Sequence, residues 1–269
     1  MVASADDIAG ELLAAQAGTR LIAPFSSRDI RFGISAAYDV AKRILDRRIA
    51  RGERAVGRKI GFTNRNIWPQ YKVDRPIWAH VYDSTVQHAI GGRAELSLAQ
   101  LVAPRIEPEI MFGLSAAPAP GMSDEELLEC IAWMAHGYEL VHCHFPDWKF
   151  TVADAIADFS FHGALVVGTR VPVAGGKKLA GKLAGFSIAL SKNGEVQERG
   201  AGANVLGSPL RALAHLIDVL AAQTQFAPLA AGEIVTTGTL TSALPVRAGE
   251  TWSTTVQGIA LPGLTIAFR

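Results

Sequence analysis

Glu107 and Glu109 stand two residues apart in an otherwise apolar run, Pro104–Leu114. Alternate residues of an extended chain face the same way, so both carboxylates would project from one side with Arg105 and Met111. Ile106, Pro108, Ile110 and Phe112 take the other side. Two like charges so placed repel, and burial sharpens the repulsion. A hard divalent cation between them is the natural relief, because such ions prefer oxygen ligands. A solvated polar face on an exposed strand would show the same alternation. Glu139 is an isolated acid among Tyr138, Leu140 and Val141, costly to bury unpaired. Lys59 lies between Gly57 and Gly61. It is either an exposed cation near a turn or, in an apolar frame, a group of lowered pKa suited to proton transfer or anion binding. Asp83 is a turn residue or a polar site group. His142-Cys143-His144 tempts towards zinc, but a continuing strand turns both histidines away from Glu139, and no further cysteine stands at ligand spacing.

The elements that must position these groups follow from local pattern. Residues 1–52 are expected to be helical: Ser4 caps a helix carrying Ile8, Leu12 and Leu13. Ser27 opens a second, whose stripe is Ala37, Val40, Ala41, Ile44 and Leu45 and whose end carries Arg47, Arg48 and Arg51. Trp68–Val86 predicts a structured aromatic loop entering a strand, of the kind that covers active sites or fills a core. Ser123 and Glu126 form a capping box, predicting a helix through Leu127, Leu128, Ile131 and Met134 to near Gly137. Asp147 to Asp158 predicts a loop and a short helix. Asn193-Gly194 is a two-residue hairpin signal, and Ser208-Pro209 opens a helix through Leu220. From Ile234 to Phe268 the chain is strand-rich, and Gly238-Thr239-Leu240-Thr241 is either a ligand-facing turn or an ordinary strand end.

Composition bounds the class. With 269 residues the chain can bury a large core, and a net charge of +1 with 19% charged residues makes no case for nucleic acid. Cys130 and Cys143 are too few for a disulfide framework, which fits a reducing cytoplasm. The N-terminus lacks a signal-peptide pattern and no apolar run reaches membrane-spanning length, so a soluble, cytoplasmic protein is expected.

Six segments, in order, carry a resemblance. They are Arg58–Thr63, Arg105–Ile110, Glu139–Val141, Ala153–Asp158, Gly202–Pro209, and Gly238–Thr241 with Pro245-Val246. Together they resemble the 2-keto-4-pentenoate hydratase and 4-oxalocrotonate decarboxylase branch of the fumarylacetoacetate hydrolase superfamily. The resemblance implies an α+β fold: a mixed β-sandwich roll over residues 53–269, preceded by a helical region over 1–52. It implies Mg²⁺ or Mn²⁺ held by Glu107, Glu109 and Glu139. Lys59 matches the active-site lysine, Asp83 is a candidate general acid/base beside it, and Thr239 is a substrate contact.

The implied activity is hydration of a 2-hydroxy-2,4-dienoate to a 4-hydroxy-2-oxo acid in aromatic-compound catabolism, through a stabilised enolate. The alternatives are decarboxylation of a 2-oxo-3-enedioate, hydrolysis of an acylpyruvate, or a non-catalytic subunit that binds a small acid. Homo-oligomers and association with a related hydratase or decarboxylase are also implied. The chain departs from its relatives after Glu139 and at Phe159-Ser160-Phe161-His162, which predicts a bulkier, more apolar pocket with His162 in a hydroxyl's place. Arg65 or Arg75 would supply a site for a second carboxylate.

Overall fold

The structure, a computed structural model, describes residues 3–173 and 176–269. Ser4 caps the first helix, α1 (Ala5–Ala17): its hydroxyl accepts the Asp7 N–H, and the Asp7 carboxylate accepts the Ser4 N–H. A single turn, α2 (Phe25–Arg28), and the longer α3 (Ile34–Ala50) follow. Ser27 does not open α3. Its hydroxyl donates to the Pro24 carbonyl inside α2, and α3 begins after Gly33 without a side-chain cap. Arg48 is more than a helix-end charge: it is buried, paired with Glu53 at 2.8 Å and stacked 3.9 Å from the Tyr82 ring centroid.

Seven strands lie in the first two thirds of the chain: β1 (Ala55–Gly61), β2 (Ile77–Tyr82), β3 (Val86–His88), β4 (Arg93–Leu96), β5 (Arg105–Leu114), β6 (Ile131–Val141) and β7 (His162–Val167). Between them stand three short helices, α4 (Trp68–Tyr71), α5 (Asp124–Glu129) and α6 (Val152–Ala157). The remainder comprises β8 (Val171–Pro172), α7 (Gly176–Gly185), β9 (Ser187–Lys192), β10 (Glu195–Ala201), α8 (Pro209–Ala222), β11 (Ile234–Thr239), β12 (Leu244–Pro245), β13 (Thr251–Gln257) and β14 (Thr265–Phe268).

The larger sheet runs β2-β1-β11-β5-β6-β7-β3, and the smaller β10-β9-β13-β14-β4. Pairing is mixed: β1–β11, β3–β7 and β4–β14 are parallel. Strand alternation decides what each face meets. Ile106, Tyr138, Leu140 and Val166 of the larger sheet pack against Leu190, Trp252, Ile266 and Phe268 of the smaller one. Each such side chain, fully buried, contributes about 1.5–3 kcal/mol. A separate cluster joins Ile60, Trp78, Ile110 and Phe112 of the larger sheet to α1, α3 and α8. Asn193 and Gly194, with φ of 50° and 89°, make the tight turn between β9 and β10.

Two expectations are corrected. The helix opened by Ser123 ends at Glu129 rather than near Gly137, and Ile131 and Met134 belong to β6. A stripe of Leu127, Leu128, Ile131 and Met134 fits helical spacing, but pairing of β6 with β5 on one side and β7 on the other overrides it. The segment Gly202–Ala222 has the length and the apolar composition of a membrane span. Its regular helix is only the 14 residues of α8, which bury Leu210, Leu213, Leu216, Ile217 and Leu220, so the apolarity serves the core.

Candidate metal and active site

The site is assembled at the centre of the larger sheet. Glu107 on β5 lies directly opposite Glu139 on β6, and Glu109 pairs with Gly137. On its other side β5 meets β11, where the register slips between Thr236 and Thr239, one extra residue on β11. This bulge places Gly238 at φ +100°, a conformation that suits glycine, and turns its N–H onto Glu109 Oε2 at 2.9 Å. The Thr236 hydroxyl donates to the same oxygen. Pro108 stands between the two ligand candidates, where a bulged or edge strand would suit a proline. The bulge is present, but on the neighbouring strand, and β5 is central rather than an edge.

Glu107, Glu109 and Glu139 each offer a carboxylate oxygen, all within 4.8 Å of one another. Lys59, on β1, is 2% exposed and donates to the Ser160 carbonyl at 2.8 Å. Its Nζ lies 3.2 Å from Glu139 Oε2 but is not aligned for a hydrogen bond, so that oxygen and Glu109 Oε1 have no hydrogen-bond partner. Two orphaned, buried carboxylate oxygens facing a third carboxylate could serve as the donor set of a hard divalent cation. Mg²⁺ and Mn²⁺ fit these residues.

Electrostatics agree. Burial, with Glu139 and Glu107 close by, pushes Glu109 well above the ordinary carboxylate range. Burial also raises Glu107, to about 7, despite the opposing charge of Lys59. Burial opposes ionisation of Glu139 too, yet Lys59 and a hydrogen bond from His162 hold it below the usual value. For Lys59 burial works against the ammonium, but Glu139, Glu107 and Glu109 outweigh it and the pKa rises. The alternative of a lysine lowered by an apolar frame is thus overturned: three carboxylates face it.

The cluster opens onto a narrow chamber of about 30 Å³ walled by Phe62, Tyr71, Trp148, Phe150 and Phe161, with Lys59, Glu107 and Thr239 also lining it. Phe159, Ser160 and Phe161 run consecutively at positive φ, 54°, 47° and 65°. That run turns the Ser160 carbonyl onto Lys59 and its hydroxyl onto the Trp78 carbonyl, 2.8 Å in each case. Phe62 and Trp148 are left-handed as well, at 55° and 54°. Such conformations cost about 1–2 kcal/mol per residue and concentrate at functional sites.

Three sequence-predicted site residues lie elsewhere. Asp83 caps the far end of the β1–β2 pair, where Arg54 holds it at 2.9 Å and keeps its carboxyl below the usual range, so it does not join Lys59. His162 does not line the chamber. It stands behind Glu139, its Nδ1 at 2.8 Å from Oε1 and its Nε2 at 2.8 Å from the Thr85 hydroxyl. Arg65 is exposed over the Trp68 ring at 5.7 Å. Its partner in that reading, Arg75, pairs with Asp74 on the surface. His142 and His144 are buried outside the cluster: His142 Nδ1 accepts from Val102 N–H, and His144 is bound to Asp158. The helpers Thr236, Gly238 and Ser160 were not foreseen as such, although the Gly238–Thr241 segment carried a signal.

The chain matches the fumarylacetoacetate (FAA) hydrolase C-terminal family over residues 69–262. It is 31% identical over 241 residues to the 2-hydroxyhexa-2,4-dienoate hydratase of Comamonas testosteroni, covering 89% of each. It is 31% identical over 227 residues to a 4-oxalocrotonate decarboxylase of a Pseudomonas species, covering 84% of each. Among solved structures, the 4-oxalocrotonate decarboxylase from Pseudomonas putida G7, complexed with magnesium and adipate, superposes with a TM-score of 0.88 at 27% identity. That match covers 98% of this chain and 97% of the other. A carboxylate cluster on a mixed sheet and a match over most of the chain agree, and the chain belongs to the fumarylacetoacetate hydrolase C-terminal family.

Proposed function

We propose that this protein is a divalent-metal-dependent hydro-lyase that adds water to a 2-hydroxy-2,4-dienoate to give a 4-hydroxy-2-oxo acid. The observation that carries the reading is the set of three carboxylates beside Lys59, with Glu107 and Lys59 lining one chamber. The hydratase relatives, at about 30% identity over most of the chain, support the substrate class. Glu107, Glu109 and Glu139 are the proposed ligands. Bound there, Mg²⁺ or Mn²⁺ supplies a Lewis acid that polarises the oxygens of a 2-oxo acid.

The chain's own groups do the rest. Lys59, kept as an ammonium by its neighbours, donates a proton to the terminal carbon of the dienol as the 2-hydroxyl gives up its own, and so yields the conjugated enone with no net change in protons. Water adds to the β-carbon of that enone, and the carbon next to the carbonyl takes up a proton. The Ser160 carbonyl and Glu139 hold Lys59 in place for this transfer. The aromatic wall restricts the chamber to few waters, which strengthens every charge interaction inside it. Thr239, whose hydroxyl donates to the Thr241 carbonyl at 2.9 Å, offers a polar contact on the same floor.

The test follows loss of dienol absorbance when the purified protein, loaded with Mg²⁺ or Mn²⁺, meets 2-hydroxypenta-2,4-dienoate. Turnover that disappears with chelator and falls at least 100-fold in Lys59→Met supports the reading. Absence of turnover with either metal refutes it.

A further inference from the structure

Resting on that reading, we propose that His144 and Asp158 are positioning residues for Lys59: they fix the turn of chain that aims the Ser160 carbonyl at the lysine ammonium. That carbonyl is the aligned hydrogen-bond acceptor of Lys59, at 2.8 Å. It stands in the middle of Phe159-Ser160-Phe161, three successive residues at positive φ. So costly a run persists only where its surroundings over-determine it. Both of its ends must therefore be held.

The segment His142–His144 holds them. At the leading end Asp158 is 0% exposed, and His144 takes both of its carboxylate oxygens. The His144 Nδ1–H donates to Oδ1 at 2.6 Å, and its backbone N–H to Oδ2 at 3.0 Å. At the trailing end the Phe161 carbonyl accepts the His142 N–H at 3.0 Å. The Phe161 N–H turns back onto the Asp158 carbonyl at 2.7 Å and closes the loop. His144 is itself anchored, because its carbonyl accepts the Ile22 N–H at 2.8 Å, between α1 and α2. A two-point, charge-assisted grip between side chains that are both fully buried is stiff, since water competes for neither partner. Among the described residues, neither His144 nor Asp158 bonds to Lys59 or to the three glutamates, so their reach to the lysine is through this turn. A misplacement of about 1 Å at reacting atoms can cost about 100-fold in rate.

The experiment measures kcat, KM and Mn²⁺ affinity, together with the rate at which formaldehyde and a hydride donor methylate Lys59, read by mass spectrometry. His144→Leu/Asp158→Asn removes the side-chain bond without stranding a carboxylate, and the asparagine carbonyl can still accept the backbone N–H. It should lower kcat at least 30-fold and speed Lys59 methylation at least 10-fold, with KM and Mn²⁺ affinity within 5-fold. His144→Asn, whose amide takes the place of Nδ1–H, should keep both rates within 3-fold of wild type. His144→Gln, whose amide reaches the Nε2 position instead, should follow the double variant, and this pair carries the test should the double variant not fold. An unmoved kcat or methylation rate in the variants lacking the bond overturns the inference. So do equal losses in the asparagine and glutamine variants, or a loss of Mn²⁺ affinity that matches the loss of kcat. Absence of turnover in the wild type refutes the hydro-lyase reading, and the methylation rates then decide this inference alone.

Discussion

Glu109→Gln should make the metal-free protein more stable at neutral pH while abolishing its response to metal. The three carboxylates lie within 4.8 Å of one another. At that distance and an effective dielectric of about 20, each like-charged pair costs about 3.5 kcal/mol. Glu109 has two such neighbours and, at 0% exposure, no water to screen them. Without a divalent ion, Lys59 offsets only part of that repulsion, and the favoured state is a protonated Glu109. Its ordinary value is 4.5, so holding the proton at pH 7 costs at most about 3 kcal/mol, taking 1.36 kcal/mol per pH unit.

Glutamine needs no proton, its carbonyl can accept from Thr236 and Gly238, and its NH₂ occupies the position of the orphaned Oε1. The sign is fixed by linkage. A carboxyl raised in the folded state imposes no cost below 4.5, a growing one as pH rises from 4.5 towards the folded value, and a constant one above it. The gain from Glu109→Gln should therefore be near zero at pH 4.5 and reach up to about 3 kcal/mol at pH 7. Urea denaturation of both proteins in chelator, at several pH values, measures it directly. A variant less stable than wild type at pH 7, or one whose melting temperature still rises with Mg²⁺ as the wild type's does, would refute the reasoning.

Three further outcomes are expected. Gly238→Ala puts a Cβ 1.8 Å from Thr63 Oγ1 at φ +100°. It should destabilise by about 2–4 kcal/mol in urea, with Thr63→Ala restoring only the overlap part; a loss under about 0.5 kcal/mol would count against the bulge geometry. His162→Phe removes the hydrogen bond behind Glu139 and should weaken Mn²⁺ binding about 10–100-fold by calorimetry, with the fold retained by circular dichroism. His136, buried between the Glu109 carbonyl and the Thr254 hydroxyl, is lowered from 6.5 to about 4 by burial. The stability it contributes is present above pH 6.5 and lost as pH falls towards 4, about 3 kcal/mol in all; His136→Gln should flatten that part of the acid limb.

How much was legible in the sequence depended on how local the cause was. Period-two alternation put Glu107 and Glu109 on one face, and capping chemistry marked the starts of α1, α5 and α8. That Glu139 stands opposite Glu107 is a matter of strand register, which no local pattern shows; the resemblance implied only that the three glutamates share a metal. Long-range pairing also undid the helix expected through Met134, where the same apolar positions satisfy either period. Asp83 misled because a strand end looks the same at either end of a sheet, and only the antiparallel β1–β2 register puts Lys59 and Asp83 apart. His162 was flagged, but its tautomer-setting partners Thr85 and Glu139 come from other elements.

The left-handed run Phe159–Phe161 has a consequence for how this chain can be altered by selection. Glycine at either phenylalanine would relieve about 1–2 kcal/mol of backbone strain but would remove a buried ring from the core, a loss of about 3–5 kcal/mol. A screen for thermostability should therefore purge glycine at 159 and 161, although both positions are left-handed. The rings hold the chain in a conformation its backbone alone would not choose, so the two positions can lose their strain only by losing their packing.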